Sequence, residues 1–407
     1  MLYQAFQAYT DLLTPAQMAA RACAALMDDP RFGLHGTPDV RRLSAACEVF
    51  SRLRMTHHRP SFGIDSVAVD GHDISVEIRT VCGTPFGSLL HFSKAGGRGQ
   101  GQSKVLVVAP LSGHFATLLR DTVATMLPEH DIYLTDWHNI RHVPLIEGRF
   151  GLDDYVEHVM RFLAELGEGA HMVAVCQPCV PVLAAVALMA EEDHPAQPLS
   201  LTLMAGPVDA RINPTTVNEL ATSRPLDWFE RHLINYVPLR YAGALRRVYP
   251  GFLQLAAFMS MNMERHAKAF VELFEHLRLG DSDKADTTLR FYDEYFAVND
   301  LSAEFYLETV RLVFQEHALA KGELQYRGRH VDPKAIRRTA LLTVEGERDD
   351  ICAIGQTVAA HDLCTSLRPY MKSHHLQPGV GHYGVFSGRR WQQQIYPRVR
   401  ELIQVSL

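Results

Sequence analysis

The residue best suited to covalent chemistry is Cys176, which lies between two apolar stretches in HMVAVCQPCVPVLAAVALMA, residues 171–190. This pattern predicts a short buried strand, a tight turn that carries Cys176, and a buried helix. A side chain at such a turn is held out of the sheet above the N-terminus of the next helix. The helix start favours a thiolate, and its free N–H groups can hold a developing oxyanion. The segment therefore predicts a cysteine nucleophile.

Other interpretations of this segment stay open. Cys179 is a second candidate nucleophile, although it lies three residues further from the predicted strand. Cys176 and Cys179 also form a C-x-x-C motif, which is typical of thiol–disulfide exchange and of half a zinc site. Residues 173–190 are apolar enough to resemble a membrane span, but Gln177 and two prolines favour a buried helix instead.

Partners for the cysteine occur late in the chain. The apolar run TALLTVEG, residues 339–346, predicts a buried strand and is followed by Asp349 and Asp350. His382 lies further on, in a loop flanked by glycines. Nucleophile, acid and histidine in this chain order are typical of the α/β-hydrolase fold. We expect His382 to take the thiol proton and the acid, Asp349 rather than Asp350, to orient the imidazole.

Further site residues follow from the same chemistry. The backbone N–H of Gln177 is one predicted oxyanion donor, and Leu111 or Ser112, in the loop after the strand KVLVVAP, supplies the other. His114 lies close to that loop and either lines the pocket or is an ordinary loop histidine. The rival bases, His374 and His375, fall in a predicted strand, and no metal site is predicted.

The elements around these residues predict a mostly parallel sheet with a helical cap. Residues 1–60 are predicted to be helical, and an amphipathic helix there could lie on an apolar particle, although packing on its own domain is favoured. Strands and helices alternate through residues 61–206 and again through residues 336–407, which predicts the α/β-hydrolase core. Residues 207–335 are long, helical in pattern and rich in aromatic residues, and we interpret them as a cap insertion.

Composition limits the classes of function. The chain has 407 residues, of which 47% are hydrophobic and 21% charged, with a formal net charge of −6. A large packed core is therefore expected, and nucleic acid is not an expected partner. The N-terminus shows no signal-peptide pattern, and the seven cysteines are scattered. A reducing cytoplasm is the expected compartment. The cysteines outside C-x-x-C are interpreted as small buried hydrophobes: Cys23, Cys47, Cys82, Cys352 and Cys364.

Several motifs together resemble the intracellular polyhydroxyalkanoate (polyhydroxybutyrate) depolymerases, which are thiol α/β-hydrolases. These motifs are VAVCQPCVPVLAA, APLSGH, VYPGFLQ, RFYDEY, TVEGERDDI, AAHDLC and GHYGVFSGRRW. The resemblance runs over nearly the whole chain. It implies that Cys176 is the nucleophile, Asp349 the acid and His382 the base.

The resemblance also implies a substrate, an amorphous polyester of short 3-hydroxyacids stored in cytoplasmic granules. Cleavage would pass through an acyl-thioester and release 3-hydroxybutyrate or oligomers, with no cofactor, or acyl-CoA if coenzyme A is the acceptor. The granule is the implied partner, and a homo-oligomer is possible. Three alternatives remain: a polyester synthase, a C-x-x-C thiol–disulfide oxidoreductase, and a non-enzymatic granule-coat protein.

Overall fold

The computed structural model describes residues 2–32, 37–97, 99–261 and 263–406. Within these ranges the strands, in chain order, are β1 (Ser66–Val69), β2 (His72–Gly83), β3 (Gly87–Lys94), β4 (Lys104–Val108), β5 (Asp131–Trp137), β6 (His171–Val175), β7 (Ser200–Met204), β8 (Asn235–Tyr236), β9 (Arg247–Tyr249), β10 (Leu301–Ser302), β11 (Gln325–Tyr326), β12 (Arg329–His330), β13 (Ala340–Gly346) and β14 (Lys372–Gln377).

The helices of the described ranges are α1 (Leu2–Asp28), α2 (Pro38–Arg52), α3 (Arg120–Met126), α4 (Leu152–Leu166), α5 (Cys179–Glu191), α6 (Thr216–Thr222), α7 (Leu226–Leu233), α8 (Gly251–Met261), α9 (Met263–Leu279), α10 (Ser282–Tyr295), α11 (Ala303–Thr309), α12 (Ala360–Leu363), α13 (Gly388–Arg390) and α14 (Tyr396–Val405).

One nine-stranded sheet organises the molecule, in the order β1-β2-β3-β5-β4-β6-β7-β13-β14. The six strands β5, β4, β6, β7, β13 and β14, in the order of the sheet, pair in parallel. Strands β1, β2 and β3 form an antiparallel edge, and β3 pairs antiparallel with β5. Every residue of β6, β7 and β13 is buried, as expected for parallel strands covered on both faces. The mostly parallel sheet predicted from the sequence is confirmed, and its strand order is that of an α/β-hydrolase.

The core has two layers, one on each face of the sheet. Leu106 and Val108 of β4 pack into one layer, and Val105 and Val107 pack into the other, because successive side chains of a strand point to opposite faces. Helices α4 and α5 cover the first face, and α3 and α14 cover the second. The central strands are therefore packed on both faces, and their carboxyl ends lie at one edge of the sheet.

The chain between β7 and β13 is mostly helical, from α6 to α11, with a small sheet in the order β10-β9-β8. The division of the chain into segments stays a prediction. This holds for the cap, residues 207–335, and for the segments 1–60, 61–206 and 336–407. The chain between β7 and β13 meets the core at Asn299, whose N–H donates to Gly113 O at 2.7 Å.

Helices α1 and α2 lie within the predicted N-terminal segment, residues 1–60, of which residues 33–36 lie outside the described residues. Helices α1 and α2 pack on each other, and α2 also packs on α9. Arg52 of α2 donates two hydrogen bonds of 2.7 Å to Asp293, and the Tyr3 hydroxyl donates to buried Asp300. The segment thus packs on its own chain. None of the helices in the described ranges combines the length and the apolar composition that a bilayer crossing requires.

Candidate active site

Cys176 occupies the tight turn between β6 and α5. Its φ angle is +67°, in the left-handed region that side chains other than glycine rarely adopt. The turn is held because the Cys176 N–H donates to Met204 O of β7 at 2.7 Å, and the Cys179 N–H donates to Cys176 O at 3.1 Å. The expected strand, strained turn and helix are therefore present, and this is the backbone of a nucleophile elbow.

Gly206, just beyond β7, makes the elbow sterically possible. A Cβ atom on Gly206 would lie 2.2 Å from the Cys179 sulfur and 2.7 Å from the Cys176 carbonyl oxygen. The chain just after β7 therefore crowds the elbow, and only a residue without a side chain fits at position 206. This residue was not predicted from the sequence, where its only signal was a glycine two residues after the end of β7.

Asp349 and His382 form a buried pair on two loops that follow β13 and β14. His382 Nδ1 lies 2.8 Å from Asp349 Oδ2. The other carboxylate oxygen, Oδ1, accepts from the N–H groups of Ile351 at 2.9 Å and Cys352 at 2.8 Å. The carboxylate is fixed before any substrate arrives, because both oxygens are engaged.

The side chain of Cys176 completes this arrangement. Burial by itself lowers the pKa of His382, but the charges of Asp349 and Cys176 and the hydrogen bonds to both side chains raise it well above its usual value. The structure thus brings the three residues singled out in the sequence to one place. A thiol beside an imidazole of raised pKa can give up its proton to form a thiolate–imidazolium pair.

The loop after β4 is tied to the elbow and to α8. The Leu111 N–H donates to Gln177 Oε1 at 3.1 Å, and Gln254 of α8 donates from its side-chain amide to Ser112 O. Within the described residues, the N–H groups of Gln177 and Ser112 have no hydrogen-bond acceptor. Of the two loop donors predicted from the sequence, Leu111 is therefore engaged in this structure.

His114 lies buried against α8 and α10. Its ring centroid is 6.3 Å from that of Phe258 and 5.5 Å from that of Tyr295. Burial lowers the pKa of His114 to about 4, although a hydrogen bond to the Tyr295 backbone opposes this effect. The imidazole is thus neutral at physiological pH, and its predicted role in binding substrate stays a prediction.

Glu345 supports the surroundings of the site and was not predicted from the sequence. It is fully buried on β13, where its Oε1 accepts from Thr357 N at 2.7 Å and Val358 N at 3.0 Å. Its Oε2 accepts from Gly355 N at 2.9 Å. Glu345 therefore anchors the loop that follows Asp349. Its signal in the sequence was a single acid inside the apolar run TALLTVEG.

The second cysteine of C-x-x-C has a different environment. Cys179 is fully buried, and its thiol donates to the carbonyl oxygens of Ala174 at 3.5 Å and Met204 at 3.8 Å. Burial and the charge of Cys176 raise the pKa of the Cys179 thiol far above its usual value. A buried thiol that stays protonated is a poor partner for thiol–disulfide exchange.

Among the described residues, no group of three or more His, Cys, Asp or Glu side chains is placed to hold a metal ion. His374 and His375 lie on β14 as predicted. His374 Nδ1 lies 3.0 Å from the Thr343 hydroxyl, and its Nε2 lies 3.7 Å from Glu345. His374 is thus engaged in the sheet rather than with Asp349.

Residues 205–406, about half of the chain, match the family described as the C-terminus of PHB de-polymerases. The matched region contains Asp349 and His382 but not Cys176. A comparison with curated proteins finds no match.

Solved structures with a similar arrangement include 2-hydroxy-6-oxo-6-phenylhexa-2,4-dienoate hydrolase from Rhodococcus sp. strain RHA1, at 12% identity and a TM-score of 0.42, over 81% of this chain and 99% of the other. A monoacylglycerol lipase from Paleococcus ferrophilus shares 13% identity at a TM-score of 0.41, over 75% of this chain and 97% of the other. At these scores the likeness adds nothing to the fold assignment, which rests on the strand order.

Proposed function

The chain belongs to the polyhydroxybutyrate depolymerase family and is an ester hydrolase, and from this premise we propose that it cleaves stored poly(3-hydroxybutyrate)-type polyester through a triad of Cys176, His382 and Asp349. The observation that carries the proposal is the buried 2.8 Å contact of His382 with Asp349, beside a cysteine held at positive φ. This arrangement has each part that acyl transfer to a thiol needs.

In the first step His382 takes the proton of the Cys176 thiol, and the thiolate sulfur attacks the ester carbonyl carbon. The carbonyl oxygen becomes an oxyanion, which the free N–H groups of Gln177 and Ser112 are suited to hold. The carbon–oxygen ester bond then breaks, and His382 returns its proton to the leaving oxygen. The products are a shortened chain with a free hydroxyl and an acyl-thioester on Cys176.

In the second step His382 takes a proton from the acceptor, which attacks the thioester carbonyl. The carbon–sulfur bond breaks, and the proton returns to Cys176. Water as the acceptor releases 3-hydroxybutyrate or a short oligomer, whereas the thiol of coenzyme A would release an acyl-CoA. Asp349 holds His382 through the contact with Nδ1 and stabilises its imidazolium form.

We further propose that the enzyme works on cytoplasmic granules of the polymer and meets them through α1. Large apolar side chains of α1 stay exposed even though the helix packs on its own chain. Tyr9 is 61% exposed, Leu12 is 78% exposed and Met18 is 63% exposed. An amorphous polyester surface is apolar enough to bury such side chains.

Native amorphous granules, incubated with and without coenzyme A and followed by identification of the products, test the proposed reaction. We expect the wild-type protein to release hydroxyacids or oligomers and Cys176→Ala to release none. Cys179→Ala is the matched control and should keep most of the activity, because its buried thiol takes no part in the reaction. Equal, partial losses in both variants would contradict the proposal.

A further inference from the structure

A cavity of about 240 Å³ lies away from the proposed triad. Its walls come from α1, the segment that follows α2, and residues around Arg141 and Tyr241. Neither Cys176 nor His382 lines it. A second cavity of about 550 Å³ at the carboxyl end of β5 shares the lining residues His57, His58 and His142. The smaller cavity is notable for the polar groups that it leaves without partners.

Arg141 carries two buried donors that lack an acceptor. Its side chain lines the cavity, and the residue is only 6% exposed. The guanidinium stacks on Tyr241, with 3.6 Å from its carbon to the ring centroid, and its Nη2 donates to Gln7 Oε1 at 3.2 Å. Its buried Nε and Nη1 groups have no acceptor among the described residues. Buried guanidinium donors without an acceptor are costly, so they indicate a ligand that carries oxygen atoms.

The surroundings of Arg141 are electropositive. Arg54, His57, His58 and His142 line the same cavity. Burial lowers the pKa of His142, and the charge of Arg141 lowers it further, whereas Asp300 opposes the change. A site that disfavours another positive charge favours an anion.

Two carboxylates limit the charge of the ligand, because Asp11 lines the cavity and Asp300 lies beside the lining residue His57. Asp11 is paired with Arg240 at 2.7 Å, and Asp300 lies 3.4 Å from His57. The excess of positive charge is therefore small, which suits a monoanion better than a dianion such as phosphate. Phe6 and Met55 form an apolar part of the wall, where a short hydrocarbon chain can be buried.

We propose that this cavity binds a short-chain carboxylate, with the carboxylate on the guanidinium of Arg141 and the hydrocarbon chain against Phe6 and Met55. Arginine matches the planar, two-oxygen geometry of a carboxylate better than any other side chain. The cavity has room for a short hydrocarbon chain. The inference does not depend on the proposed function, because the site is built from other residues.

Isothermal titration of the full chain with butyrate, 3-hydroxybutyrate and inorganic phosphate tests this site. We expect both carboxylates to bind and phosphate to bind more weakly. Arg141→Met should lower the affinity for butyrate about tenfold or more, because it removes a charge-assisted contact. Arg52→Met is the matched control. It breaks another arginine contact of the N-terminal segment, with Asp293, but does not line the cavity, so it should leave butyrate binding unchanged.

A second variant keeps the test decisive if Arg141→Met fails to fold. Thr14→Trp fills the cavity from α1 without changing Arg141 and should cause a similar loss of affinity. If neither carboxylate binds at concentrations up to about 10 mM, the proposal is overturned. A dissociation constant above about 10 mM is too weak for specific binding. Tighter binding of phosphate than of butyrate, or butyrate binding that survives both Arg141→Met and Thr14→Trp, would also overturn it.

Discussion

The backbone N–H of Leu111 donates to the side-chain Oε1 of Gln177 at 3.1 Å, so the residue after the proposed nucleophile is tied to the loop after β4. This bond connects the two segments from which oxyanion donors are expected. It also engages the N–H group of Leu111, so that, among the described residues, only the N–H group of Ser112 remains free of the two that the sequence offered as the second oxyanion donor. The geometry of the proposed oxyanion site therefore depends on a side chain as well as on backbone groups.

We expect Gln177→Ala to lower kcat about three- to tenfold on a water-soluble ester such as p-nitrophenyl butyrate, because it loses one hydrogen bond that positions the loop. Gln177→Glu should lower kcat about tenfold further, because a carboxylate there repels the developing oxyanion. Gln102→Ala, which removes a side-chain bond to Pro128 O elsewhere, is the control and should keep wild-type kcat. Equal kcat values for Gln177→Ala and Gln177→Glu would show that the side chain lies outside the oxyanion site.

Gly206→Ala should destabilise the protein by about 1–3 kcal/mol, because the added methyl group would overlap the side chain of Cys179. Chemical denaturation measures this loss as a change in the free energy of unfolding. The double variant Gly206→Ala/Cys179→Gly should recover part of the stability, since it removes the overlapping atoms. If the double variant is no more stable than Gly206→Ala, the contact with the Cys176 carbonyl oxygen dominates instead.

His114 should make stability depend on pH in the acid range. Its pKa is lowered by burial to about 4, below the value of about 6.5 expected in the unfolded chain. The unfolded chain therefore binds the proton more readily, and the stability that neutral His114 contributes is lost as pH falls from about 6.5 to about 4. Relative to His114→Gln, the wild-type protein should lose about 3 kcal/mol over this range, measured as free energies of unfolding. Parallel pH curves for the two proteins would contradict the assignment.

The exposed apolar side chains of α1 give a separate prediction about the granule. Leu12→Asp should weaken co-sedimentation with native amorphous granules about tenfold, because it places a charge where an apolar contact is proposed. Hydrolysis of p-nitrophenyl butyrate should not change. Val405→Asp is the control, since Val405 of α14 is 75% exposed and belongs to another part of the surface. Equal granule binding by both variants would exclude α1 as the docking helix.

The sequence by itself determined the order of the elements and the residues that could do the chemistry. A buried strand, a turn with Cys176 and an apolar helix are recognisable within twenty residues, because each periodicity is local. The alternation of strands and helices predicted the parallel sheet. Residues at the carboxyl ends of parallel strands lie at one edge of the sheet, so Asp349 and His382 could be expected near Cys176 despite their distance along the chain.

Tertiary structure alone decided the contacts that depend on which strands and loops are neighbours. Gly206 is required only because β7 lies beside β6, and Gln177 meets Leu111 only because β4 lies on the other side of β6. The guanidinium of Arg141 is buried because α1 folds back over it, and two of its donors are left without an acceptor among the described residues. Such contacts join residues far apart in the chain, and no local period or residue type marks them beforehand.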